Sequence, residues 1–311
     1  MNNTTFIQTT VGLSEIKDSD KILIHEHIFN RFPYWHQSQV EECVLRELKK
    51  TFEQGISIIC DLTAYTKPYN YYRIIEESPV SIVSCLGFYT PRHVSSELKH
   101  KSADALIRSY SKIIEKGIGS KKIKPGILKV AAQSSELNSL ESVFFHVVGQ
   151  LSIEYNLPIA VHAPKGAYNH VQSLISAGVN PEKILVAHIE SSITKEEEFE
   201  KRLQEATEIL KLGSYIQLAD FGCTPSSKKC IKGLSFAEEI IRSGYLEQLL
   251  LSGDSTWRWK NNEFVVKEFN HGNGKHYTYT QDFTLPMLKK IVPQFDLEHI
   301  LLHSNPKKLF R

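Results

Sequence analysis

Apolar residues gather along this chain in short, nearly continuous runs. Such runs predict strands at residues 22–26 (ILIHE), 56–61 (ISIICD), 81–86 (SIVSCL), 126–130 (GILKV), 158–162 (PIAVH), 184–188 (ILVAH), 214–218 (SYIQL) and 248–253 (QLLLSG). Unbroken apolarity, as opposed to alternation, marks strands covered on both faces, as in a parallel sheet. Between the runs the spacing turns helical. Residues 40–53 put Val40, Cys43, Val44 and Leu48 on one face, and Gly55 follows as a stop. Residues 102–117 open on Ser102, an N-cap, and close on Gly117. Residues 139–153 end before Asn-Leu-Pro, and 235–243 end at Gly244. Eight strands alternating with helices is the count of an α/β (β/α)8 TIM barrel. An open doubly wound sheet alternates likewise, but it usually follows its first strand with a Gly-rich phosphate turn. Here the first strand runs into HEHIF. Residues 5–23 read as two short strands around a turn at Asp18, Ser19 and Asp20, a β-hairpin closing the bottom of the barrel. Residues 1–311 contain no Pro/Ser-rich linker and no internal repeat, so they read as a single domain.

Composition narrows the function classes. The chain is 41% hydrophobic and 23% charged, an ordinary globular balance that excludes disorder and coiled coil. Lys plus Arg is 37 and Asp plus Glu is 35, a formal net charge of +2. That balance provides no global pull towards nucleic acid or an anionic membrane. The five cysteines (Cys43, Cys60, Cys85, Cys223, Cys230) are scattered and form no CxxC. No disulfide framework is expected, and Cys43, Cys60 and Cys85 read as small hydrophobes in apolar runs. The start MNNTTFIQTT has neither a basic opening nor a long apolar stretch, and no run is long enough to span a membrane. The expectation is a cytoplasmic protein acting on a small molecule.

Histidine changes the picture through its positions more than through its count of 13. His25 and His27 are two apart on the first strand, and residues i and i+2 of a strand point the same way. Two imidazoles on one side of one strand are half of a metal site. His162 ends IAVH, His188 ends ILVAH, Asp254 closes LLLSGD, and Lys129 lies in GILKVA. Each has an ordinary reading: a satisfied core histidine, a turn-capping Asp, a snorkelling Lys. Jointly they put an ionisable residue at the C-terminal end of strands 1, 4, 5, 6 and 8, the face that holds the chemistry in barrel enzymes.

With HEHI, GILKVA, VHAP, VAHIE and LLSGD at those ends, together with DLTAY, GFY and NPKKLF, the chain resembles the phosphotriesterase family of the amidohydrolase superfamily. The resemblance implies two divalent metal ions, usually zinc, although the same ligands accept Mn, Fe or Co. His25, His27 and Asp254 would hold one, and His162 and His188 the other. Lys129 would be carboxylated by CO2 and bridge them. A desolvated lysine loses its proton more easily, and its carbamate is an anionic oxygen ligand. A metal-bridging hydroxide would then attack a lactone or carboxylic ester, with Asp254 taking the proton. Homodimers are common in the family.

Substrate choice falls to the loops. Residues 223–232 carry Lys228, Lys229 and Lys232 without an acid, and residues 255–280 carry Arg258, Lys260, Lys267 and Lys275. Lys228, Lys229 and Arg258 form an expected basic rim over the metals that suits an anionic substrate, such as a phosphorylated sugar lactone. Solvated loop lysines are the plain alternative. Tyr89 of GFY matches a tyrosine beside the metals in family lactonases. There are departures: Glu190 stands two residues after His188 where an Asp often follows the His directly, and TAYTKPYNYY lacks the common Gly-Arg element. Amide (N-acyl) and organophosphate hydrolysis are the alternatives within the family. A deoxyribonuclease of the superfamily would carry Glu where Lys129 stands, and a non-catalytic binding barrel would be expected to have lost a ligand.

Overall fold

The computed structural model describes residues 4–29, 37–64, 71–193, 196–219, 221, 227–260, 263–266 and 276–311. Eight parallel strands follow one another around a nearly closed TIM barrel in chain order: β3 (Ile22–Glu26), β4 (Ile58–Asp61), β5 (Ser81–Gly87), β6 (Ile127–Ala131), β7 (Ile159–His162), β8 (Ile184–Ala187), β9 (Tyr215–Leu218) and β10 (Leu249–Leu251). Every boundary lies within two residues of the predicted one. The unbroken runs arise because each strand is buried on both faces. Ile22, Ile24, Ile58, Cys60, Val83, Cys85, Ile127, Ala160, Leu185, Tyr215 and Leu250 fill the barrel interior. The alternate residues, among them Leu23, Ile59, Leu128, Val161, Val186 and Leu251, pack outward into the helical layer.

The helices obey their caps. Ser102 Oγ accepts from the Ala105 N–H at the start of Ala103–Lys116, and Gly117 ends that helix at φ +74°. Asn138 and Glu141 form a capping box on Ser139–Tyr155, which stops at a left-handed Asn156. In Gln37–Glu53, Val40, Val44 and Leu48 are buried, whereas Cys43 is only half-buried.

Two expectations are corrected. The hairpin pairs β1 (Phe6–Thr9) with β2 (Gly12–Glu15), so its turn is Thr10–Val11, not Asp18–Asp20. Gly12 accepts the positive φ of +137° there. Asp18–Asp20 makes the next turn, into β3, where the Lys17 N–H donates to Asp20 Oδ2 at 2.8 Å. The hairpin does close the barrel floor: Ile7 and Ile16 join the interior cluster, and the Thr10 N–H donates to the Ile82 carbonyl.

The helix expected at 235–243 is Lys228–Arg242, capped by Ser227 Oγ on the Cys230 N–H. Two lysines in a first turn oppose the helix dipole, and so they hid its start. Finally, the segment after β10 includes an antiparallel ribbon, β11 (Trp257–Lys260) with β12 (Glu263–Val266). Among the described residues no helix is long and apolar enough to cross a membrane.

Candidate metal centre

At the mouth of the barrel, β3 departs from regular pairing. Its register against β4 shifts between Leu23 and Glu26. In regular alternation Ile24 faces inward and His25 outward. The irregularity breaks that alternation and re-aims the following side chains. His25 thereby turns into the barrel, where its Nδ1 lies 2.7 Å from Gln217 Oε1 on β9. His27 follows the strand, with Nδ1 2.8 Å from Thr63 Oγ1.

These contacts set the imidazole tautomers. Gln217 Oε1 is an acceptor, so His25 Nδ1 carries the proton. The Thr63 hydroxyl donates to Asp61 Oδ1 at 2.7 Å, so it receives a proton from His27 Nδ1. Asp61 is held in turn by the Ile28 N–H at 2.8 Å. Both Nε2 lone pairs are left facing Asp254 Oδ1, at 3.4 Å for His25 and 3.1 Å for His27. Three acceptor atoms converge with no proton assigned among them. Burial, with the Lys129 charge adding to it, holds His25 well below the usual imidazole range, so protonation does not resolve the convergence. Burial works to raise Asp254, but its imidazole neighbours His25, His188 and His27 prevail and keep it well below the usual carboxylate range. Such a donor set fits a divalent cation. The ligand atoms of His25, His27 and Asp254 all lie within 4.8 Å of one another, the only such group of His, Cys, Asp or Glu among the described residues.

The other predicted residues border this trio. The His162 and His188 rings are 4.6 Å apart, and His188 Nε2 is 3.8 Å from Asp254 Oδ2. His188 and Asp254 adopt φ of +74° and +50°. Non-glycine residues reach that left-handed region only at a cost of about 1–2 kcal/mol, which the surrounding structure must hold in place. Burial, reinforced by the charges of His188 and Lys129, pushes His162 down to about 2, so its ring is neutral.

Lys129 on β6 is 1% exposed. Burial pushes its ammonium down to about 8, against the opposing charges of Asp254 and Cys85. Near pH 8 about half of such lysines are neutral amines. Gly87 makes room for this strand: a Cβ there would lie 1.9 Å from the Lys129 carbonyl oxygen.

Tyr89 is half-buried, its ring 5.1 Å from that of His162. Burial and the Asp254 charge raise its hydroxyl pKa. A cavity of about 510 Å³ is lined by residues that include Cys85, Gly87, Tyr89, Leu98, Tyr110 and Ile113.

Two lysines of the expected basic rim lie in a helix and not in a loop. Lys228 and Lys229 belong to the first helical turn, the former exposed and the latter half-buried, while Lys232 lies over the Phe199 ring at 5.9 Å. The side chain of Arg258 lies outside the described residues, as do Cys223, Lys267 and Lys275.

Sequence reasoning missed Gln217, Thr63 and Asp61, which orient the histidines. One signal was legible: each is a polar residue in or just after an apolar strand. Glu190, an open question in sequence, is buried and accepts from the Ala219 N–H at 2.7 Å, tying the end of β8 to that of β9.

A model of the phosphotriesterase family matches residues 5–310. An aryldialkylphosphatase of Saccharolobus solfataricus is 23% identical over 95% of this chain and 96% of its own length. An N-acetyltaurine hydrolase of Xenopus tropicalis is 25% identical over 76% of this chain and 67% of its own. A phosphotriesterase homology protein of Escherichia coli is 20% identical, covering 86% and 88%.

Proposed function

The chain belongs to the phosphotriesterase family and is a hydrolase, and from that premise we propose that it hydrolyses lactones or carboxylic esters at a centre of two divalent metal ions. The observation that carries this reading is the convergence of three ligand atoms, from His25, His27 and Asp254, within 4.8 Å of one another. His25, His27 and Asp254 would hold one ion, and the rings of His162 and His188 the other. Lys129 completes the set. Its neutral amine would add to the carbon of CO2 with release of one proton, and the carbamate so formed would supply an anionic oxygen ligand. Bound ions supply Lewis acidity and lower the pKa of water.

The chain's own residues do the rest. Asp254, kept anionic near neutral pH, accepts the proton of the attacking water and delivers it to the leaving oxygen. Tyr89 stays protonated and donates a hydrogen bond to the substrate carbonyl from beside His162. The cavity that Tyr89 helps to line has room for a substituent of the substrate.

Two features favour a second reading, N-acyl amide hydrolysis: relatives named N-acetyltaurine hydrolase match this chain, and the acyl carbonyl would meet the same groups. Zinc is the expected metal. An anionic substrate is the finer proposal, and Lys228 and Lys229 are its candidates for recognition.

The deciding experiment has two parts. Elemental analysis of protein produced with metal should find about two divalent ions per chain. The loaded protein is then screened against neutral lactones, phosphorylated lactones, N-acyl compounds and organophosphates. One ion or none sinks the binuclear centre. Turnover of amides without lactones or esters hands the conclusion to the second reading.

A further inference from the structure

The barrel closes without a strand ladder at one place. The hydrogen-bonded order runs from β3 to β10, and those two end strands are not paired with each other. The residues that join them surround Glu26, which lies between His25 and His27 and is fully buried. Ser252 Oγ donates to Glu26 Oε1 at 2.7 Å, and the Gly253 N–H donates to the same oxygen at 2.7 Å. The Ser255 N–H donates to Glu26 Oε2 at 2.7 Å. The backbone follows this lead: the Asp254 N–H donates to the His25 carbonyl at 3.1 Å, and the His27 N–H to the Ser255 carbonyl at 3.0 Å. Gly253 is needed for the approach, since a Cβ there would lie 2.8 Å from Ser255 Oγ and 3.2 Å from Glu26 Oε1.

A carboxylate suits this place because it only accepts, and three donors point at it. Aspartate is a methylene short. Glutamine would turn an NH2 towards a donor. The turn so gripped, residues 252–255, is the one that holds Asp254 at φ +50°.

We infer that Glu26 is a positioning residue: its carboxylate clamps the 252–255 turn to the first barrel strand and so aligns Asp254 Oδ1 with His25 Nε2 and His27 Nε2. It acts through Asp254 and touches neither ion nor substrate. The inference rests on the metal reading above. A merely structural seam would lower the stability of metal-free and metal-loaded protein alike. A clamp that sets ligand geometry also changes how tightly, and in what field, the ion is held.

The test compares full-length Glu26→Gln and Ser252→Ala with the wild type, with His25→Ala as reference. Zinc affinity is measured by chelator competition, and ligand geometry by the visible absorption of the cobalt(II)-loaded protein. Glu26→Gln should lose about 10–100-fold in affinity, and Ser252→Ala should change in the same direction by less. Both should alter the cobalt spectrum and lower kcat, with KM kept within about two-fold. If Glu26→Gln does not fold, Ser252→Ala decides alone. Folded variants with wild-type affinity and spectrum overturn the clamp, even if they melt earlier. Loss of metal in His25→Ala alongside wild-type binding in Glu26→Gln overturns the clamp and leaves the metal reading standing. Metal retained in His25→Ala overturns both.

Discussion

The mouth and the floor of this barrel are built from the same eight strands and follow opposite rules. At the floor, Ile7 and Ile16 of the hairpin pack on Ile22 and Ile58, and the outer surface carries ordinary ion pairs such as Lys307–Asp18 and Lys21–Glu298–Lys289. At the mouth, Lys129, Glu26 and His25 are buried, and His188 and Asp254 occupy left-handed backbone. Burial pushes Glu26 up to about 7 even though three hydrogen bonds oppose it. The floor gains stability by removing apolar surface from water. The mouth holds polar groups and left-handed backbone in places that cost stability. Stability and activity should therefore respond separately to changes at the two ends.

The largest expected effect is at the mouth. Asp254→Asn should lower kcat by about 10²–10⁴-fold, with the melting temperature of the metal-free protein unchanged or raised. A parallel collapse of fold and activity in circular dichroism and kinetics would erase the contrast. Lys129→Ala should lose metal and activity together, and formate or acetate should restore part of both. Full activity in that variant would refute the carbamate.

At the floor, Ile16→Ala should cost about 2–4 kcal/mol in denaturant unfolding while leaving kcat, KM and metal content as they are. A change in metal content would mean that the two ends are coupled.

Between the ends, the Glu47 carboxylate takes bonds from His276 Nδ1 at 3.1 Å and Lys50 Nζ at 2.7 Å. Burial works to raise it, but these cations hold it down to about 2. Its folded pKa lies below the unfolded one, so its stabilisation is complete above the ordinary glutamate range and is lost as pH falls towards about 2. Both cations are half-exposed, so the contribution is on the order of 1 kcal/mol. Melting curves of Glu47→Gln should be flatter than those of wild type between about pH 4.5 and 2. The smallest effect is expected for Glu298→Gln at the floor, within about 0.5 kcal/mol of wild type by the same melts.

Much of this was legible in sequence because burial on both strand faces leaves a local mark. ILVA is apolar at successive positions, and the ends of such runs could be read off to within two residues. Placement of polar residues was readable where an ionisable group broke such a run, as at Lys129, His162 and His188. The Thr10–Val11 turn was missed because Asp18-Ser19-Asp20 carries the louder turn composition, and pairing of β1 with β2 decides between them. The start of the Lys228–Arg242 helix was missed because its cap is a serine among other polar residues and its first turn is basic. Gln217 looked like any polar residue in a strand until closure of the barrel brought β9 next but one to β3.

By itself, the sequence determined the strand count, the alternation with helices, the apolar floor and which ionisable side chains stand at strand ends. These depend on neighbours a few residues away, through burial periodicity and capping. Tertiary structure alone decided where those side chains aim. Strict alternation would send His25 out of the barrel, and the irregularity in β3 brings it in. His188 and Asp254 face the centre in a backbone conformation no pattern announces. The ligand atoms of His25, His27 and Asp254 meet only because Gln217 and Thr63 come within hydrogen-bond distance of the two rings, and Glu26 within that of the turn that carries Asp254, and these partners are distant in sequence or silent in pattern.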